Sequence, residues 1–498
     1  ERQLEPDVVV LHTLSADEGS FGWAVAELGD LDGDGAREAL TGAPFHSAGG
    51  MNAGRVFVYA SGSGEQLFEW TGEAGDALGY AIADAGDIDG DGKADIVAGA
   101  PGLMGAIGRV LVYSGADGSV LHEIAGDVAG GRLGAAVAGA GDLDGDGVPD
   151  LLLGAEAHPA AGLKAGRVIA VSGATAAILW TRDGEGASNF MGSGAAALGD
   201  VDGDGTPDVV VGARGAGPAG HGRVYVLSGV DGGDVYPPRE ADASGGNLGH
   251  FFVAGVGDLD GDGVPEVYGG EYGDNANGEA SGKAYVWSGK TGAILWSFTG
   301  EHAGDGLGCG RRGGDADGDG VPDLAIGSYN ASPRGAASAG RVTVFSGATG
   351  AVLRTISGAN PGYQLGFDVV SLGDVDGDAR PDLLMSAASG NTMYIVAGAS
   401  TSEGGSTGEP GTTDATTGDA TTGDATTGDV TTTGAMTGAT TGASTGADAT
   451  TGPSSDTGGS SESGCGCRGG GSPGGLMLFA WLAVRRRRRP TDGATAAR

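Results

Sequence analysis

Residues 141–155 read GDLDGDGVPDLLLGA. Four carboxylates, Asp142, Asp144, Asp146 and Asp150, fall within nine residues, and the stretch runs straight into an apolar segment. Like charges this close repel at neutral pH, so either the loop is disordered acid or a cation sits among them. The pattern occurs seven times, opening at Asp30, Asp87, Asp142, Asp200, Asp258, Asp315 and Asp374, at spacings of 57, 55, 58, 58, 57 and 59 residues. A regular period of this length marks a repeat architecture. In the third unit an alternating run, LGAAVAGAG, precedes the acidic loop, PDLLLGA follows it, and GRVIAVSG and AAILWTRDG come next, each bounded by Gly, Asp or Ser. No sustained 3.6-residue period occurs in the first 400 residues. An all-β fold of seven units with four strands each predicts a seven-bladed β-propeller.

The two ends of the repeat region predict how the ring closes. The seventh unit supplies LGFDVVSLG, PDLLMSAA and TMYIVAGA and then gives way to Thr, Gly and Ser without a fourth strand. Residues 8–22, VVVLHTLSADEGSFG, align with residues 120–134, VLHEIAGDVAGGRLG, the fourth strand of one unit and the approach to the next. The N-terminal strand is therefore expected to complete the last blade and remove the exposed edge of an open array.

Every acidic loop places carboxylates at positions 1, 3, 5 and 9. The sets are Asp30, Asp32, Asp34 and Glu38; Asp87, Asp89, Asp91 and Asp95; Asp142, Asp144, Asp146 and Asp150; and Asp200, Asp202, Asp204 and Asp208. The remaining three are Asp258, Asp260, Asp262 and Glu266; Asp315, Asp317, Asp319 and Asp323; and Asp374, Asp376, Asp378 and Asp382. Alternate positions in a tight loop point at one centre, and hard oxygens in this number suit Ca²⁺, up to seven ions in all. An EF-hand is excluded, because position 12 is Thr41, Ala98 or similar instead of Glu and strands flank the loop. Asp-Gly pairs alone make hairpin turns, but a turn requires neither the ninth-position acid nor its sevenfold recurrence. The seventh loop departs at position 6, where Ala379 replaces glycine.

Phe21-Gly22 with Gly42-Ala43-Pro44, and Leu78-Gly79 with Gly99-Ala100-Pro101, give residues 7–400 a resemblance to FG-GAP repeats, the units of the integrin α-subunit propeller. Later units drift to Leu133-Gly134 with Gly154-Ala155, and to Leu365-Gly366 with Ala387-Ala388. The resemblance implies calcium-binding β-hairpins and a ligand surface on the opposite rim. Loops on that rim differ from blade to blade, as in PFHSAGGMNAG, AEAHPAAGLKAG, EYGDNANGEASG and SYNASPRGAASAG. Tyr272, Asp274 and Asn275 with Tyr329 and Arg334 are the expected ligand-binding residues, since an aromatic platform beside hydrogen-bonding groups suits sugar or peptide capture. The expected partner is an extracellular protein or glycan.

Composition narrows the function further. The 498 residues include 107 glycines, and 65 acidic against 27 basic side chains give a formal charge of -38. That surface repels nucleic acid. The seven histidines, His12, His46, His122, His158, His221, His250 and His302, show no metalloprotease spacing and read as scattered surface or strand residues. No phosphate-cradling loop and no zinc-like cysteine set occurs before residue 465. A binding or adhesion module without catalysis is expected. The alternatives are an extracellular hydrolase or lyase acting on carbohydrate or lipid at the propeller centre, and a structural surface-layer component. Arg311 and Arg312 stand where other units carry small residues on the channel-lining first strand, and either neutralise acid there or form an anion site.

Residues 401–464 repeat TTGDA-like units with almost no apolar side chains and read as a disordered stalk. Residues 465–490 place Cys465 and Cys467 before an apolar stretch and five arginines, and resemble the myxobacterial Cys-containing C-terminal sorting signal. That resemblance implies processing at one of the two cysteines and display on the bacterial cell surface or outer membrane of a secreted protein. The apolar stretch from Leu476 to Val484 spans only about 14 Å as a helix against roughly 30 Å of hydrocarbon. Membrane contact is expected through this tail alone, and the propeller is expected to be a monomer.

Overall fold

The computed structural model describes residues 4–398 apart from 6, 7, 104 and 243, so the stalk and sorting tail lie outside the described residues. Seven four-stranded antiparallel sheets are present, with three short 3-10 turns and no α-helix among the described residues. Each sheet is one blade. The third shows the plan: Leu133–Gly141, Asp150–Ala155, Arg167–Val171 and Ile178–Asp183, paired in that order.

Burial explains the strand sequences. First strands converge on the axis, where space is shortest, and they are built of small residues: AVAEL in Ala24–Leu28, AIADAG in Ala81–Gly86 and LGAAVAGAG in Leu133–Gly141. Second strands are covered on both faces and read as nearly continuous apolar runs, with every residue of Asp150–Ala155 and Asp208–Ala213 buried. Fourth strands form the outer edge and carry mostly exposed and half-buried residues, as in Val120–Ala125. Blade four departs from this plan. Its fourth strand shrinks to Arg239–Glu240, because Pro237 and Pro238 just before it have no N–H to give to a ladder.

The repeated glycines set the distance between blades. A Cβ on Gly42 would stand 2.0 Å from the carbonyl oxygen of Gly79, and the same clash recurs for Gly99 on Gly134 at 2.1 Å and Gly327 on Gly366 at 2.0 Å. The Gly-Ala pair of one blade thus packs backbone to backbone on the Phe/Leu-Gly pair of the next, which gives the repeat signature its physical meaning. On the lower face the glycine before the acidic loop abuts the proline at position 8 of the next loop at five of the seven seams, as Gly86 does with Pro149 and Gly141 with Pro207. Outer-strand side chains then clasp the neighbouring blade: the indole nitrogens of Trp70, Trp180 and Trp296 donate to the carbonyls of Gly118, Gly229 and Gly347 at 2.9, 2.6 and 2.8 Å.

The ring closes as the alignment of the two ends predicts. Val10–Ser15 pairs antiparallel with Thr392–Val396, which follows Asp382–Ala387 and Val369–Gly373 in the seventh blade. Leu14 is buried there beside Phe21, Leu384 and Ile395. Removing residues 1–15 strips this strand and bares the edge of Thr392–Val396. The shortened protein should melt at lower temperature and self-associate through that edge, read by thermal melts and size-exclusion chromatography; an unchanged melting curve with a monomeric elution would refute the closure.

Candidate metal centres and upper face

The acidic loops join first and second strands, so all seven open on one face, here called the lower. In the third loop the Asp142 carboxylate accepts the N–H of Gly145 at 2.7 Å on one oxygen and that of Gly147 at 2.9 Å on the other. Asp144 Oδ1 accepts from Asp146 at 3.1 Å, and Asp146 Oδ1 from Val148 at 2.8 Å. These bonds curl the loop so that its carboxylates converge, and Gly145 and Gly147 supply the positive φ angles of 79° and 87° that the curl demands. The same bonds recur in the other loops, and the seventh holds Ala379 at φ 68°, a conformation that costs a residue with a Cβ about 1–2 kcal/mol. Carboxylate oxygens of Asp258, Asp260, Asp262 and Glu266 lie within 4.8 Å of one another, as do those of Asp30, Asp32 and Glu38, of Asp87, Asp89 and Asp95, and of Asp142, Asp144 and Asp146.

The ninth-position acids differ from the rest by being buried. Glu38, Asp95, Asp150, Asp208, Glu266, Asp323 and Asp382 are all sealed from solvent, whereas most of the acids at positions 1, 3 and 5 are exposed or half-exposed. Burial pushes Glu38 and Glu266 up to about 7 and Asp382 up to about 6, against the backbone N–H bonds that lower them. Glu38 Oε2 and Glu266 Oε1 are buried with no hydrogen-bond partner. All-oxygen donors, convergence on one point and orphaned buried oxygens together fit a hard divalent cation.

On the axis the first strands enclose a cavity of about 280 Å³. Arg311 reaches both oxygens of the buried Asp368 at 2.9 Å, and Asp368 also accepts the N–H of Val25 at 3.0 Å. This carboxylate therefore ties blades six, seven and one at the closing seam, and Arg311 neutralises it. Arg312 is exposed at the channel near Glu27.

The upper face holds the variable loops. Tyr272 and Tyr329 do come together, with ring centres 6.4 Å apart, and Tyr329 continues to Phe367 at 5.8 Å. Both are half-buried, and the Tyr272 hydroxyl meets His250 Nδ1. Asn275 is exposed, and its side chain holds Ser244 and Ala280. Arg334 is exposed and pairs with Glu5 at 3.1 Å. Asp274 corrects the expectation of a solvent-facing ligand group: it is fully buried, accepting from Ser244 Oγ at 2.9 Å and from the Ala276 N–H at 2.8 Å, and so pins the crossover between blades four and five. Three histidines also depart from the surface reading. His46 and His158 are buried against Asp17 and Asp127 at 3.4 and 3.1 Å, and burial holds His250 well below the usual histidine range, so it is neutral.

Two upper-face features escape the sequence reading. Trp23 sits at the hub, 5.1–6.3 Å from Phe367, Phe45, Tyr80 and Phe251. The signal for it was present, since Trp23, Tyr80 and Phe367 each directly follow a Phe/Leu-Gly pair. The second is an ionic triad in which the buried Glu156 receives Arg132 at 2.7 Å and Arg214 at 3.2 Å, and Arg214 stacks on Phe190 at 3.9 Å. Arg132 and Arg214 lie in neighbouring blades, a pairing that local sequence does not reveal.

The geometry defines a seven-bladed β-propeller with a convergent acidic hairpin on each blade. The FG-GAP repeat family matches residues 79–120, 192–227 and 313–345. Integrin alpha-PS2 of Drosophila melanogaster is 33% identical over 174 residues, 33% of this chain and 12% of the relative, and Integrin alpha-5 of Xenopus laevis is 32% identical over 212 residues, 39% and 20% respectively. Among solved structures, BBS1N in complex with ARL6DN matches 80% of this chain and 97% of its own length at 14% identity and a TM-score of 0.48. The chain carries FG-GAP repeats in these segments and is similar to integrin α chains over a third or so of its length, and it spans less than a quarter of the length of these curated relatives.

The buried acids generate a pH prediction for the metal-free protein. Their folded values lie above the ordinary 4.5 of Glu38 and Glu266 and 3.8 of Asp382, so their contribution to stability is present below those values and is lost as pH rises through about 6 to 7. In chelator the melting temperature should fall between pH 5 and pH 8. Millimolar Ca²⁺ should raise it, and by more at pH 8 than at pH 5. Identical melts with and without calcium at both pH values would refute the metal assignment.

Proposed function

We propose that this protein is a calcium-stabilised binding or adhesion propeller that acts outside the cell and without catalysis. The carrying observation is the sevenfold hairpin, in which carboxylates converge on each blade of a propeller similar to integrin α chains. Residues at positions 1, 3, 5 and 9 would hold one ion per loop, and the ion would relieve repulsion beside the core. The metal's part is structural, and it leaves the upper face for recognition.

The upper face suits an extracellular protein or glycan. Its loops vary in length and sequence, while the lower hairpins are nearly identical and so poor at discriminating partners. Tyr272 and Tyr329 extend the hub toward the rim where Asn275 and Arg334 offer exposed polar groups. The stalk and the Cys465/Cys467 tail support display at the bacterial surface after processing near Cys465. Intact-mass analysis of surface-extracted protein should then return a chain ending near that residue; a chain retaining Arg485 to Arg489 would contradict it.

A glycan and protein array probed in calcium identifies the partner. The double change Asn275→Ala with Arg334→Ala should weaken its binding severalfold and leave the calcium-dependent melt unchanged. Full binding by that variant, with loss only on changing the outer hairpin residue Asp117 of the lower face, would place the partner on the other face.

A further inference from the structure

The seven ninth-position carboxylates are not equivalent. Five are aspartates, and each is saturated in the same way. One oxygen accepts the N–H of position 2, and the other accepts an N–H from the hairpin between the third and fourth strands, or from the equivalent residue after the last strand. For Asp95 the donors are Ile88 at 2.7 Å and Gly115 at 2.9 Å, and for Asp150 they are Leu143 at 2.7 Å and Gly173 at 2.9 Å. Asp208, Asp323 and Asp382 repeat the scheme with Gly229, Gly347 and Gly398.

The other two are glutamates. Glu38 Oε1 accepts from Leu31 at 2.7 Å and Asp32 at 3.1 Å, and Glu266 Oε2 accepts from Leu259, so the position-2 bond survives. The second bond does not. The added methylene advances the carboxylate from the hairpin, and Glu38 Oε2 and Glu266 Oε1 are left sealed and without a partner, in side chains 1% and 0% exposed. In the fifth loop all four carboxylates supply oxygens to one 4.8 Å cluster.

We propose that the loops of Glu38 and Glu266 form a distinct, tighter class of calcium site, binding at least tenfold more strongly, about 1.4 kcal/mol, than the five aspartate loops. This rests on the calcium reading above. A buried carboxylate oxygen with no partner is costly, and a cation that arrives there satisfies it outright. In an aspartate loop the cation must share oxygens already engaged by backbone N–H groups, so less is gained on binding. Calcium accepts six to eight oxygens in flexible geometry and can use the additional one. Blades one and five would thus keep their metal when calcium falls, and would hold the ring on two well-separated sides.

The test is a calcium titration of the full chain by isothermal titration calorimetry, with bound ions counted by native mass spectrometry. Two ions should bind at a calcium concentration at least tenfold below that which fills the other five. Glu38→Asp and Glu266→Asp should each move one ion from the tight to the weak class with the total unchanged, and the reciprocal Asp150→Glu should create a third tight site. A single class of seven sites, or two tight sites that survive both glutamate substitutions, would overturn the inference and leave the calcium reading standing. No calcium uptake would overturn both.

Discussion

The buried carboxylate that opens each second strand is the constraint on which the rest of the propeller depends. It sits where a charged group is least tolerated and satisfies itself by gathering N–H groups from the acidic loop and, in five blades, from the outer part of the same blade. One side chain thereby fixes the hairpin, the entry to the most buried strand and the position of the outer hairpin. The acids at positions 1, 3 and 5 are then oriented by short loop bonds around a point they cannot share without a counter-charge. The proposed cation in each loop would link folding of the blade to metal concentration.

Around that constraint the blades are joined by contacts that leave little freedom for larger side chains. Glycine meets glycine near the upper face, glycine meets proline near the lower face, and indole N–H groups clasp the outer edge. The seam between blades seven and one departs from this pattern. There Ser386 replaces the usual second-strand glycine against Gly22, and Asp368, held by Arg311 of blade six, accepts the N–H of Val25 in blade one.

Much of this was legible in the sequence, for physical reasons that are local. A period of 55 to 59 residues, alternation within each unit and a displaced fourth strand define the ring without reference to distant contacts. The acidic loop is equally local, and its ligand pattern follows from spacing. The clamp role of position nine is not, because it needs a donor some twenty residues away, Gly115 for Asp95 and Gly173 for Asp150. Asp274 shows the same limit: a loop aspartate among Gly and Asn reads as exposed, and Ser244, thirty residues earlier, buries it. Tyr272 and Tyr329 were recognisable as aromatics on one rim, but their continuity with Phe367 and Trp23 depends on where the blades bring the residues after each Phe/Leu-Gly pair.

The proposed function would divide the labour, with metal on the lower face stabilising the ring and the variable loops of the upper face free for recognition. Anomalous scattering from crystals grown with terbium in place of calcium tests the foundation of this account most directly. Seven peaks are expected, one among positions 1, 3, 5 and 9 of each hairpin. An ordered propeller with no peak at any of these loops would contradict it.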